Sequence, residues 1–302
     1  PAIVHVHPDP AEIGRVFRPA LGITSDLNAF AVAAAALPGG ADGWGEWTRG
    51  LRALREAGRV VPGYPGALNV AACMRELEGL AAADAALLGP LGWSVAARLR
   101  DAGAAMRDTS VAQPLLFAVQ VATVMALRTA GVQPDACMGH SVGEVAAAWA
   151  AGALTLDQAA RVIAVRSRLQ AQTAGAGRMA VLGLGADAAA DALAGTGVEV
   201  AARNSSGATT VAGPEAALLA LGERAKEAGW AYTMLDLDYA FHSAAMDPIE
   251  AALADELAGL GPSPAILPFV STVAGGPADG ATLGAEYWWQ NVRAPVRFAV
   301  ST

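Results

Sequence analysis

Gly139-His140-Ser141-Val142-Gly143-Glu144 follows the short apolar run Ala136-Cys137-Met138 and opens the Ala-rich segment Val145 to Ala151, which stops at Gly152. The order is strand, sharp turn, helix, with a serine at the tip between two glycines. A G-x-S-x-G turn of this kind carries its serine hydroxyl clear of the sheet. Helix amides just beyond the turn face whatever the serine attacks and stabilise negative charge there. The same letters also fit a glycine-rich turn with an idle serine. Taken alone, Ser141 is a candidate nucleophile.

The chain of 302 residues is 54% hydrophobic and 16% charged, enough apolar content for one large or two medium domains. Its hydrophobicity is carried by Ala, Val and Leu scattered among Gly and Asp, and no unbroken apolar run long enough to span a bilayer is expected. No basic segment with an apolar core and cleavage site opens the chain. Two cysteines, Cys73 and Cys137, make neither a disulfide framework nor a metal spacing, which together with the last point fits a cytoplasmic protein. The net charge is −8 and the basic residues are dispersed, so nucleic acid and membrane are not expected partners. An anionic substrate would need a local arginine.

Along the chain, residues 1–10 (PAIVHVHPDP) read as a strand halted by prolines, with His5 and His7 on one face and no acid or cysteine cluster to make them metal ligands. Ser25 or Asp26 can cap a helix running through Ala36, and DGWGEWTRGLRALREAG gives an amphipathic helix with Trp44, Trp47, Leu51 and Leu54 on one side. LGPLGWSVAARLRDAG (88–103) reads as a turn and a helix. Asp108 or Thr109 then precedes a helix with the apolar stripe Leu115, Leu116, Val119, Ala122 and Leu127, ending at Gly131. After the serine turn, Thr155-Leu-Asp-Gln158 starts a helix through Gln170 that carries Arg161, Arg166 and Arg168. Residues 178–237 run β-α-β-β-α-β, the order of a ferredoxin-like module, with a last strand over AYTMLDLDYA. A helix from Met246 to Leu260 and a strand over ILPFVSTVAG follow.

Two histidines remain as bases for the serine. His140 adjoins it on a turn where neighbours diverge. His242 lies at a strand end, 101 residues on (242 − 141), where it reads equally as a core histidine or as the base of a Ser–His pair.

Two resemblances bear on these alternatives. HVHPDPAEIGRVFRPALGITSDLNAFAVAAAAL and YPGALNVAACMRELEGLAAADA (64–85) resemble a fragment of a thiamine-diphosphate enzyme of the acetolactate-synthase type, without the Gly-Asp-Gly…Asn magnesium motif, so no thiamine site carries over. From about residue 87 onward, QPLLFAVQ, GHSVGE, AVRSRL, NSSGATTVAG, YAFHS and YWWQNVRAPVRF are similar in order and spacing to malonyl/acyl-CoA:acyl-carrier-protein transacylases, most of all to the acyltransferase domain of type I polyketide synthases. That resemblance implies an α/β fold: an α/β-hydrolase-like parallel-sheet core (87–177 and 238–302) with a ferredoxin-like subdomain (178–237) inserted, after a replaced segment 1–86. It further implies ping-pong acyl transfer from acyl-CoA, through an acyl-Ser141 with His242 as base, to the phosphopantetheine of an acyl carrier protein. Ketosynthase and other synthase domains would be partners, and no cofactor would be permanently bound. The Val142 amide would be an oxyanion donor, the Asn291 main-chain carbonyl would orient His242, and Arg166, 25 residues past the serine (166 − 141), would pair with a free carboxylate on the acyl group. A planar guanidinium suits that pairing, because it offers two parallel hydrogen bonds. Gln113, His140, Tyr239 and Phe241 match further pocket positions. In this family HAFH goes with malonyl and YASH with methylmalonyl. Here YAFH, with bulky Phe241, and Val142 in place of Gln lean to malonyl, methylmalonyl being the alternative.

The family's opening strand and G-Q-G-S-Q turn, whose first glutamine supplies a second oxyanion N–H, have no match in residues 1–86, and VRFAVST stops short of a further family strand. The expectation is therefore an acyltransferase truncated at both ends. Two rival readings stay open: an inactive scaffold module, and a serine thioesterase or hydrolase with Asp236 or Asp238 completing a triad.

Overall fold

The computed structural model describes residues 4–7, 21–24, 70–99 and 106–301. The chain divides into two compact units, residues 1–65 and 66–302. In the first, β1 (Val4–His7) pairs in parallel with β2 (Leu21–Thr24). The helices expected over 25–36 and 42–58 lie outside the described residues.

The second unit opens with helix α1 (Val70–Leu91), which runs through the boundary expected at residue 86. The physical reason is a buried stripe at four-residue spacing: Gly79, Ala83 and Leu87 face inward. At Gly79 a Cβ would lie 2.6 Å from the Cα of Ala122, so glycine lets two helix backbones touch. Ala122 belongs to α3 (Thr109–Thr129), capped by the Asp108 carboxylate on the Ser110 amide; α2 (Val95–Arg98) lies between. Although Gln113, Gln120 and Thr123 interrupt its apolar run, α3 is long and apolar enough to cross a membrane by length and composition, and half of that stretch is buried inside the protein. Its expected stripe is also revised. Leu115 and Ala122 face the core with Val111, Ala118 and Val121, whereas Leu116, Val119 and Leu127 are exposed and line a groove of about 560 Å³ beside Met138 and Val142.

Next come β3 (Cys137–Met138), α4 (Gly143–Ala150) and α5 (Leu156–Ala171). Helix α5 starts with a complete capping box: Gln158 N–H donates to Thr155 Oγ1 (3.2 Å) and the Thr155 amide donates to Gln158 Oε1 (2.8 Å).

Residues 178–234 build a separate layer. Strands β4 (Arg178–Leu182), β5 (Glu199–Ser205), β6 (Ala208–Gly213) and β7 (Tyr232–Met234) form an antiparallel sheet in the order β5-β6-β4-β7. The helices α6 (Ala186–Leu193) and α7 (Glu215–Ala228) connect β4 to β5 and β6 to β7. Strand β7 is shorter than expected and leaves the sheet after Met234. The expected helix from Met246 begins instead as a 3₁₀ turn (Ala244–Ile249) containing Pro248, and becomes α8 (Glu250–Glu256) only beyond it. The chain then forms β8 (Phe269–Ser271), β9 (Gly276–Ala278), α9 (Ala285–Arg293) and α10 (Phe298–Ser301).

Strand β3 pairs in parallel with β8, and β8 pairs antiparallel with β9, so this three-stranded sheet is mixed where a parallel core was expected. Trp288 on α9, Phe117 on α3 and Phe269 on β8 are among the largest fully buried side chains. Burying a side chain of this size contributes about 1.5–3 kcal/mol.

The serine turn depends on one of its two glycines. A Cβ on Gly139 would overlap the backbone of Gly143 and the amide of Glu144, whereas a Cβ on Gly143 would meet only Gln120 Nε2, at 3.6 Å. Gly139→Ala is therefore expected to abolish soluble folded protein. Gly143→Ala should fold and gain up to about 1 kcal/mol from helix propensity. Circular dichroism and denaturant melts of the two variants check this.

Candidate active site

Ser141 occupies the turn between β3 and α4 with φ 54°, and His242 sits beyond β7 with φ 58°; they are the two non-glycine residues with positive φ among those described. Both pay for a conformation that L-residues rarely adopt. The result is a Ser141 Oγ–His242 Nε2 distance of 2.8 Å. His242 Nδ1 lies 2.9 Å from the Ala294 carbonyl. An N–H at Nδ1 donating to that carbonyl leaves Nε2 as the acceptor for the serine proton.

The orienting carbonyl thus belongs to Ala294, and the expected role of Asn291 is corrected. Asn291 lies on α9, one turn earlier, and its side chain does the work. Its Nδ2 donates to the Ser141 carbonyl (3.1 Å) and to Glu144 Oε2 (3.0 Å), while its Oδ1 accepts from Arg166 Nε (3.2 Å). Ala294 is held in turn by the small sheet: Val296 N–H donates to Ala201 (2.9 Å) and Arg203 N–H to Val296 (2.8 Å). Neither Asp236 nor Asp238 completes a triad. Asp236 pairs with Arg107 at 2.6 Å, both side chains being at least 74% exposed, and Asp238 is exposed.

Arg166 is buried on α5 and reaches the serine. Its Nη2 donates to Ser141 Oγ (3.0 Å), and its Nη1 to Gln170 Oε1 (2.9 Å) and Gln113 Oε1. Gln113 Nε2 is itself satisfied by Thr109 Oγ1 (2.6 Å) and Gln170 Oε1 (2.8 Å). Among the described residues Arg166 has no carboxylate within ion-pair distance. Burial pulls its pKa down to about 10, with the charge of Glu144 opposing the shift. By contrast Arg161 caps carbonyls of Glu256 and Ala258, and Arg168 pairs with Glu256, on the exposed side.

The remaining expected residues fall around this centre. The amides of Gly143, Glu144 and Val145 bond to carbonyls of the turn itself, at His140, Ser141 and Val142. His140 is exposed and meets Asn204 Oδ1 (3.0 Å), with its ring against Phe298. Tyr239 and Phe241 stack with centroids 4.9 Å apart, and the Thr109 amide leans on the Tyr239 hydroxyl at 3.5 Å. Sequence reasoning missed Glu144, Gln170 and Ala294. Two had a visible signal: Glu144 is an acid inside an apolar helix, and Gln170 lies one turn after Arg166 on the same face. Ala294 had none, since a main-chain acceptor leaves no residue type to read.

The acyl transferase domain family model matches residues 77–302. The chain belongs to this family. The acyltransferase is 41% identical over 224 residues to a pikromycin polyketide synthase component of Streptomyces venezuelae, covering 73% of this chain and 6% of that protein. It is 41% identical over 210 residues to the mycoketide-CoA synthase of Mycobacterium tuberculosis, covering 68% and 5%. The chain therefore spans about one-twentieth of the length of such relatives. Among solved structures, the acyltransferase domain from module 8 of the salinomycin polyketide synthase superposes with a TM-score of 0.73 at 36% identity, over 75% of this chain and 55% of that one. The malonyl CoA-acyl carrier protein transacylase of Coxiella burnetii, at 22% identity and a TM-score of 0.68, shares the mixed α/β fold over 73% of each chain. The family match begins at residue 77 and gives no support to the thiamine-enzyme likeness of residues 1–85.

Burial, with the Arg166 charge next, lowers the His242 pKa to about 3, so the imidazole is neutral near pH 7. The unfolded chain takes up this proton near pH 6.5, so the native state loses stability as pH falls below that value. Replacing His242 by Gln should remove about 2 kcal/mol of the stability lost between about pH 7 and about pH 5. Denaturant titrations of both proteins at the two pH values measure the difference.

Proposed function

We propose that this acyltransferase moves a malonyl unit from CoA to the phosphopantetheine of an acyl carrier protein, within a polyketide or fatty-acid synthase. The observation that carries the reading is the position of Ser141 Oγ, 2.8 Å from a neutral imidazole and 3.0 Å from a buried guanidinium. His242 takes the serine proton as Oγ attacks the thioester carbonyl. The Val142 amide, at the start of α4, receives the developing oxyanion. As the tetrahedral centre collapses, the C–S bond breaks and His242 returns the proton to the departing CoA thiolate. The carrier thiol then attacks the acyl-serine by the same steps in reverse, regenerating Ser141.

Arg166 selects the acyl group. A buried guanidinium held by three neutral amides keeps its charge unneutralised, and a carboxylate on the acyl chain would meet it beside the ester. The stacked Tyr239–Phe241 pair forms a stiff wall. A wall of this kind disfavours an α-methyl by about 1–3 kcal/mol, and so favours malonyl over methylmalonyl. We read the sheet order β5-β6-β4-β7 as a ferredoxin-like subdomain inserted in a hydrolase-like core, with Val296 as the seam that carries the His242 acceptor. Ketosynthase and carrier domains would be its partners.

Incubation with radiolabelled malonyl-CoA tests the reading. Stable label on Ser141, absent in Ser141→Ala and chased onto added acyl carrier protein, is expected. Rapid release of free malonate would point to a hydrolase, and no label to a scaffold. Arg166→Ala should remove the preference for malonyl over acetyl; an unchanged preference would overturn the role of the arginine.

A further inference from the structure

The carboxylate of Glu144 is fully buried, three residues after the nucleophile, and the reaction as written does not use it. Four donors converge on it. Oε1 accepts from the Thr272 amide and from Thr272 Oγ1 (2.6 Å), and Oε2 from the Tyr287 hydroxyl (2.6 Å) and Asn291 Nδ2 (3.0 Å). Tyr287 and Thr272 are fixed in turn. The Tyr287 hydroxyl meets Ser271 Oγ at 2.7 Å, and Ser271 Oγ accepts from the amides of Val273 (3.1 Å) and Ala274 (2.9 Å). One side chain thus joins the nucleophile helix α4, the turn after β8 and helix α9.

A donor on every side is the environment of an ionised carboxylate, since a protonated oxygen would set its own O–H against one of them. Burial raises this carboxyl above its ordinary range, and the hydrogen bonds from Thr272, Tyr287 and Asn291 offset only part of that rise. The consequence passes through Asn291. With Nδ2 committed to Glu144 and the Ser141 carbonyl, its Oδ1 can only face Arg166 Nε. The amide cannot rotate by half a turn without setting its oxygen against two acceptors.

Resting on the reading of Arg166 as the receiver of the acyl carboxylate, we infer that Glu144 is a positioning residue for substrate choice. Through Asn291 it sets the guanidinium and supplies its counter-charge at one remove. A carboxylate in direct contact would neutralise Arg166 and occupy the fork. A carboxylate behind an amide offsets the buried charge and leaves Nη2 facing Ser141. The geometry therefore commits Nε and Nη1 to neutral acceptors and leaves Nη2, beside Ser141, as the edge that meets an anion.

Glu144→Gln keeps the shape and replaces one acceptor by a donor, which must oppose either Asn291 or Thr272. In the full chain, loading of Ser141 from malonyl-CoA and from acetyl-CoA is measured for wild type, Glu144→Gln, Asn291→Ala and the double variant, with Arg166→Ala alongside. A hydrogen bond to a charged group is worth about 10- to 100-fold. The ratio of malonyl to acetyl kcat/KM should fall by at least about tenfold in each single variant and no further in the double. Equal losses for both acyl groups, or losses that multiply in the double variant, overturn the inference. If Glu144→Gln does not fold, Asn291→Ala carries the ratio test, and an unchanged ratio is decisive against it. A collapsed ratio in Arg166→Ala with intact ratios in the other two sinks only the role of Glu144. An intact ratio in Arg166→Ala, or no loading of any chain, sinks the underlying reading as well.

Discussion

The constraint from which the site follows is a buried guanidinium that, among the described residues, has no carboxylate in contact. Removing an ion from water costs several kcal/mol even after relaxation, and that cost is offset only by well-placed partners. Here the partners are neutral side-chain oxygens of Gln113, Gln170 and Asn291, contributed by α3, α5 and α9. Packing those three helices around Arg166 makes the core and the site one structure. Glu144 closes the arrangement from behind, where its charge compensates through Asn291 without contacting the guanidinium.

The second constraint is backbone strain. Ser141 and His242 both hold left-handed conformations, which cost about 1–3 kcal/mol each and persist only where the surroundings enforce them. At Ser141 the enforcement is the close contact of Gly139 with Gly143 and Glu144, together with the Asn291 amide on the Ser141 carbonyl. At His242 it is the Ala294 carbonyl, carried on a segment that bridges to β5. The small antiparallel layer thereby acts on the chemistry without donating a catalytic group. It holds the acceptor that sets which imidazole nitrogen is free. The same logic excludes Asp236 and Asp238, which β7 releases to the surface.

Much of this was legible beforehand where chemistry is tied to residue type and spacing. The nucleophile turn, its strand and helix, the Thr155–Gln158 capping box and the six-element order over 178–237 were all readable as local patterns. Ser141 was nameable as a candidate from its turn, whereas His242 and Arg166 were singled out by the family resemblance. What failed was of two kinds. The boundary placed at 86 falls inside α1, because Gly79, Ala83 and Leu87 differ in size and their letters alone do not announce one buried helical stripe. The α3 stripe failed in part because Leu116, Val119 and Leu127 are as apolar as the buried face, and periodicity alone does not say which face the core will cover.

The sequence by itself offered Ser141, His242 and Arg166 as candidate nucleophile, base and cation, because few side chains can do that chemistry; the family resemblance, not the spacing, chose among the alternatives. Tertiary structure alone decided how they are held: the carbonyl of Ala294 rather than Asn291 behind the histidine, the rotated amide of Asn291, and the buried carboxylate of Glu144. Main-chain acceptors and neutral amides act through direction and distance, which no residue letter encodes. Their partners lie about 50 to 150 residues away along the chain and meet only when the helices pack.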